Sequence, residues 1–130
     1  MTRIVRAVVA STAVVAAALS AGAGAAQADY AANGDQMHYV LRSNVKGIDY
    51  LSWYDGRGVH QTRSDQLFKH ETPKWWFAKW TYTSRGANYA AISASSEGKS
   101  NSTWIECEVW VNGVKVEHEA SQGPYASVYC

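Results

Sequence analysis

The sequence predicts an all-β fold: a small immunoglobulin-like β-sandwich of about seven strands with one disulfide, preceded by a signal peptide. Three observations predict it. Short runs rich in β-branched and aromatic residues recur between Gly- and polar-rich breaks. No segment after residue 28 sustains helical periodicity. Two cysteines, Cys107 and Cys130, belong to a chain whose N-terminus has the pattern of an export signal.

The N-terminal pattern has three parts. Arg3 and Arg6 supply positive charge, Ala7 to Leu19 form an apolar stretch, and Ala26-Gln27-Ala28 makes an A-x-A site. Cleavage is expected between Ala28 and Asp29, which makes the protein secreted and extracellular. The alternative is an uncleaved chain anchored in the membrane by residues 7–28, a stretch long enough to span a bilayer. Residues 1–28 are thus read as signal peptide, 29–36 as a flexible N-terminal segment, and 37–130 as the β-sandwich domain.

Cleavage leaves 102 residues, one small domain. Losing Arg3 and Arg6 leaves 10 Lys/Arg against 11 Asp/Glu, a formal charge of −1. With no basic excess and no basic cluster, nucleic acid is not an expected partner. All six Trp and all eight Tyr lie in this part, enough ring area to build a core in a small domain.

Strands are expected at Met37–Ser43, Ile48–Tyr54, Val59–Ser64, Trp75–Thr83, Asn88–Ser93, Thr103–Val111, Val114–His118 and Ser127–Tyr129. The breaks between most of them hold turn formers, among them Asp55-Gly56-Arg57-Gly58, Asn112-Gly113 and Gln122-Gly123-Pro124. Asn112-Gly113 suits a two-residue type I′ turn, since both residues tolerate positive φ. A regular hairpin then sets Val111 opposite Val114, Val109 opposite Val116 and Cys107 opposite His118. Ile105, Cys107, Val109, Val111, Val114, Val116 and His118 would face the core.

The other face of this hairpin would carry Trp104, Trp110 and four acids, Glu106, Glu108, Glu117 and Glu119. Like charges across a ladder repel mildly, and salt screens them. The face reads as a solvated surface or as an acidic patch flanked by two Trp, able to hold a cation or a basic partner. In Trp75–Trp80, period-two alternation sends Trp76, Ala78 and Trp80 one way and Trp75, Phe77 and Lys79 the other. One set packs in the core; Trp75, Trp76 and Trp80 are the candidates for an exposed aromatic strip.

Two cysteines in an exported chain favour a disulfide, and closing Cys107 to Cys130 would stabilise the fold by about 3 kcal/mol. A zinc site lacks ligands, with two Cys and no closely spaced His pair, so no metal is expected. Nor is a cofactor or an enzyme. There is no G-x-S-x-G, H-E-x-x-H, G-x-G-x-x-G or Walker-type loop, and His38, His60, His70 and His118 are scattered.

Three features together resemble the MmpS family of actinobacterial envelope proteins. They are Pro73 to Trp75, the Ala-Ala-Ile-Ser-Ala run at Ala90 to Ala94, and Ile105 to Cys130 with its Cys, Asn-Gly turn, later Gly and closing Cys. Here Lys74 separates the Pro from the Trp, and the export signal replaces a membrane-spanning helix. The resemblance implies a β-sandwich with a Cys107–Cys130 disulfide. It also implies an accessory role in export of lipids or siderophores.

The expected function is therefore a secreted, non-enzymatic binding or accessory protein of the cell envelope. Its partner would be an envelope protein or an amphiphilic or cell-wall ligand. The alternatives are a carbohydrate- or cell-wall-binding module, and an inhibitor of an extracellular enzyme acting through Asp55–Gly58 or Ser95–Ser102.

Overall fold

The computed structural model describes residues 30–130. The signal peptide, its cleavage site and the alternative anchor at 7–28 lie outside the described residues. Among the described residues eleven strands run in order: β1 (Tyr30–Ala31), β2 (Gln36–Ser43), β3 (Gly47–Tyr54), β4 (His60–Leu67), β5 (His70–Glu71) and β6 (Trp76–Thr83), then β7 (Asn88–Tyr89), β8 (Ile92–Ser96), β9 (Trp104–Val111), β10 (Val114–Gln122) and β11 (Ser127–Tyr129). They form a five-stranded sheet in the order β10-β9-β2-β6-β5 and a four-stranded sheet in the order β11-β8-β3-β4. A two-stranded ribbon joins β1 to β7. This is the expected all-β sandwich, and among the described residues no helix is long and apolar enough to cross a membrane.

Alternation builds the core. β2 turns Met37, Tyr39 and Leu41 inward, β9 turns Ile105, Cys107 and Val109 inward, and all six are fully buried. From the other sheet Ile48, Leu51, Ile92 and Val128 meet them. Each such side chain contributes about 1.5–3 kcal/mol of apolar burial. The sheets approach most closely where β9 and β10 lie over β8 and β11. There Cys107 and Cys130 are joined, with Cα atoms 6.1 Å apart. Cys130 is also tied to Ile92 by backbone hydrogen bonds in both directions, 2.8 and 3.0 Å.

Toward β6 and β4 the space between the sheets is filled by large rings. Trp53 and Trp80 meet edge to face with centroids 5.6 Å apart, and Trp53 Nε1 donates to Tyr82 Oη at 2.8 Å. Trp76, Ala78, Trp80 and Tyr82 are the members of β6 that pack on the core.

Several boundaries differ from expectation. Residues 30–36 are not a loose lead-in: Tyr30–Ala31 pair with Asn88–Tyr89, and Gly34 N–H donates to Ser84 O at 2.8 Å. The run expected as one strand over Asn88–Ser93 is two, in different sheets, because the buried pair Ala90-Ala91 carries the chain from one to the other. β4 continues past Ser64 because Asp65 takes a left-handed φ of 53° beside a bulge at Asp49. Asp is a poor strand former, which hides that continuation in the sequence.

The hairpin of β9 and β10 needs the largest correction. Asn112 and Gly113 have φ of 52° and 80°, as a type I′ turn requires, and Val111 does pair with Val114. Between Val109 and Trp110, however, the register shifts: Trp110 pairs with Lys115, but Val109 pairs with Glu117. Val116 is the extra residue of a β-bulge. It packs on the core, and every later residue of β10 changes face relative to a regular hairpin. Cys107 therefore opposes Glu119, while His118 opposes Glu108 on the outer face.

Candidate functional site

Three surfaces gather the chemistry of the domain. The outer face of the five-stranded sheet holds a charged network. Arg42 Nη1 donates to Glu106 Oε1 at 2.8 Å and lies 3.2 Å from Glu108 Oε2. His118 Nε2 is 2.8 Å from Glu106 Oε2, Lys115 Nζ is 3.8 Å from Glu108 Oε2, and Trp110 Nε1 donates to Glu108 Oε1 at 2.9 Å. Only 8% of Glu108 is exposed. Burial works against its charge, but the Trp110 hydrogen bond, Arg42 and Lys115 outweigh that and hold its carboxyl below the ordinary glutamate range.

The expected patch of four acids and two Trp is thus divided. Glu106 and Glu108 lie on the outer face with Trp104 and Trp110; Glu117 and Glu119 turn to the core side of the edge strand. Ligand atoms of Glu106, Glu108 and His118 come within 4.8 Å of one another, but Arg42 already bonds both carboxylates. The cluster is an ion-pair network closed by the protein's own cations. Of the aromatic strip, Trp76 and Trp80 pack inward, and Trp75 and Phe77 face out beside Arg42 and Lys79. All six Trp are half-buried.

The second surface is a cleft of about 270 Å3 where the sheets stand apart. Ile48, Leu51 and Trp53 of β3 form one wall, Ala78 of β6 the other, and Phe68 closes the end. Arg63 and Lys69 stand at its rim, Lys79 borders it but carries its ammonium over the Phe77 ring of the outer face, 5.7 Å from the centroid, and among the described residues no Asp or Glu lines it. Arg63 is held over the Trp53 ring, 5.7 Å from its centroid. A second depression shares Gln66, Leu67, Phe68 and Lys69 with the cleft and adds Lys46, Trp76 and one acid, Asp65.

The third surface is the outer face of the four-stranded sheet, which sequence reasoning missed. β3 presents Tyr50, Ser52 and Tyr54, and β4 opposes them with Ser64, Thr62 and His60. β8 adds Ser93 and Ser95, paired with Tyr129 and Ser127 of β11. None of these is Asp, Glu, Lys or Arg. Asp49, in the bulge, lies at the far end opposite Asp65. Rings continue off the sheet: Tyr54 is 4.9 Å from His60 and 5.4 Å from Tyr89, which is 4.6 Å from Tyr30. Tyr30, Tyr50, Tyr89 and Tyr129 are 50, 40, 47 and 67% exposed. The period-two spacing of Tyr50, Ser52 and Tyr54 was the visible sign of this face within one strand.

The two loops considered for an inhibitor are internally bonded. Asp55 Oδ1 accepts from the N–H groups of Arg57 and Val59 at 2.8 and 3.0 Å, and Oδ2 from Gln61 Nε2 at 3.1 Å. Ser95 and Ser96 belong to β8, and Gly98 N–H donates to Ser96 Oγ at 3.1 Å.

No protein-family model matches the chain, and no curated protein matches it.

Proposed function

We propose that the protein is a secreted, non-enzymatic binding protein of the cell envelope that takes amphiphilic molecules with an anionic head, as an accessory to their export. The observation that carries this reading is the cleft: apolar walls from both sheets, and a rim holding Arg63 and Lys69 with no acid among the described residues that line it. An apolar tail gains by leaving water, and a head group at the rim meets cations beside low-dielectric walls. At about 270 Å3 the cleft is near the lower bound of the roughly 300–1,000 Å3 of small-molecule sites, so it suits a short acyl chain or part of a longer one. The MmpS resemblance points to the same class of cargo.

Displacement of an anionic naphthalene dye tests the reading. Laurate should displace the dye well, and dodecanol and dodecylamine weakly. Ala78→Trp, which fills the cleft, should abolish binding, and Arg63→Ala with Lys69→Ala should erase the preference for laurate. Equal binding of the three amphiphiles, or binding that survives Ala78→Trp, refutes the cleft as the site. For the accessory role, the tagged protein should co-purify with a large transporter from membranes. Recovery wholly in culture supernatant would count against it.

A further inference from the structure

We propose that the outer face of the four-stranded sheet is a second, separate binding surface, and that its ligand is a neutral glycan chain. Large side chains left exposed on a small domain mark a contact surface. Here they are all of one kind. Tyr50 and Tyr54 stand on β3, Tyr129 on β11, and Tyr89 and Tyr30 extend the row from Tyr54. Between the rings the floor is hydroxyl: Thr62 is exposed, Ser93 and Ser95 are half-buried, and Ser52 lies buried beneath them.

That combination fits a sugar polymer. A pyranose ring has an apolar face of C–H groups that stacks on an aromatic ring, and an equatorial rim of hydroxyls that exchange hydrogen bonds with Ser, Thr and Tyr. Tyrosine supplies such contacts at low entropic cost, having only two side-chain torsions to fix. Tyr50 and Tyr54 are four residues apart on one strand, about 13 Å, so a chain of sugars spans them where a single sugar does not. A dip of about 90 Å3 between Tyr54, Tyr129, Ser52 and Ser93 has room for a substituent of one ring.

Charge selects among polymers. With no Lys or Arg among these residues, nothing there meets a phosphate or uronate, and the nearest acids, Asp49 and Asp65, stand at the far end beyond Tyr50 and not between the rings. The face also lacks the Arg, Trp and aliphatic anchors that carry most protein–protein interfaces. An uncharged polyhydroxylated chain is the ligand whose groups these residues match.

Affinity electrophoresis of the exported protein, in gels containing laminarin, galactomannan or arabinogalactan, tests the proposal. At least one should retard it, and raising ionic strength from about 0.1 M to about 1 M should leave the retardation intact, because no ion pair is involved. Tyr50→Ala with Tyr129→Ala, both at exposed sites, should weaken binding at least tenfold without changing the thermal midpoint by more than a few degrees. Tyr54→Ala should add to that loss. Ala78→Trp should leave glycan binding unchanged, so failure of the cleft and failure of this face are told apart. The proposal is overturned if no gel retards the protein, or if retardation survives the double variant. It is equally overturned if the double variant instead abolishes self-association, which would make the face a contact between copies.

Discussion

Glu119 Oε1, on the edge strand of one sheet, accepts a hydrogen bond from the backbone N–H of Tyr129 on the edge strand of the other, at 2.6 Å. The bond crosses the open side of the sandwich beside the disulfide and holds β11, the strand that displays Tyr129. It exists because the bulge at Val116 turns Glu119 toward the core side.

Glu119→Ala should therefore destabilise the fold by about 1 kcal/mol, the net worth of one hydrogen bond at a solvated edge. Glu119→Gln keeps an acceptor oxygen and should recover most of it. Urea unfolding of the two variants checks this, and equal loss in both would refute the bond's role.

Reducing Cys107–Cys130, or replacing both residues with alanine, should cost about 3 kcal/mol, since the bridge closes a loop across a sequence separation of 23. Denaturant midpoints with and without reductant give the figure. The backbone bonds between Cys130 and Ile92 should leave the reduced protein folded at low denaturant.

Acid should weaken the charged network at a defined place. The carboxyl of Glu108 lies below its ordinary value of 4.5, so the unfolded chain binds a proton on this group before the folded chain does. Its contribution is complete above 4.5 and is lost as pH falls through the depressed folded value. Glu108→Gln should accordingly be less stable than the parent at neutral pH, with the gap closing as pH falls below 4.5. Thermal midpoints across that range measure it, and a constant gap would refute the assignment.

Thr103 is buried, and its hydroxyl finds no hydrogen-bond partner among the described residues. Thr103→Val keeps the shape and removes an unsatisfied polar group, so it should stabilise by about 1 kcal/mol. Thr103→Ser keeps the hydroxyl, loses the methyl, and should destabilise by about the same amount. Chemical denaturation of the pair decides.

The sequence carried the strands because period-two alternation is local: Met37, Tyr39 and Leu41, or Ile105, Cys107 and Val109, declare a buried face without reference to anything else. The Asn112-Gly113 turn was equally local. Pairing beyond the turn was not. Val116 fits a regular strand as well as a bulge, so nothing adjacent to it announced that His118 and Glu119 exchange faces. Trp76 and Trp80 could be assigned to one face together, but which face was inward depended on the opposite sheet. The tyrosine surface is scattered over four strands and the β1–β7 ribbon, from Tyr30 to Tyr129, and only the strand order brings it together.

The bulge also fixes where the edge strand tolerates a change in length. Without Val116, Trp110 would still pair with Lys115 and Val109 with Glu117, and all later partners would keep their places. The loss would be one apolar side chain on the core. Removing a single residue from His118 to Ser121 would instead slide the rest of the strand by one place and reverse its faces. Among relatives of this chain, a one-residue gap in the edge strand should fall at Val116 or Glu117, and its presence or absence there would leave both faces of the hairpin intact.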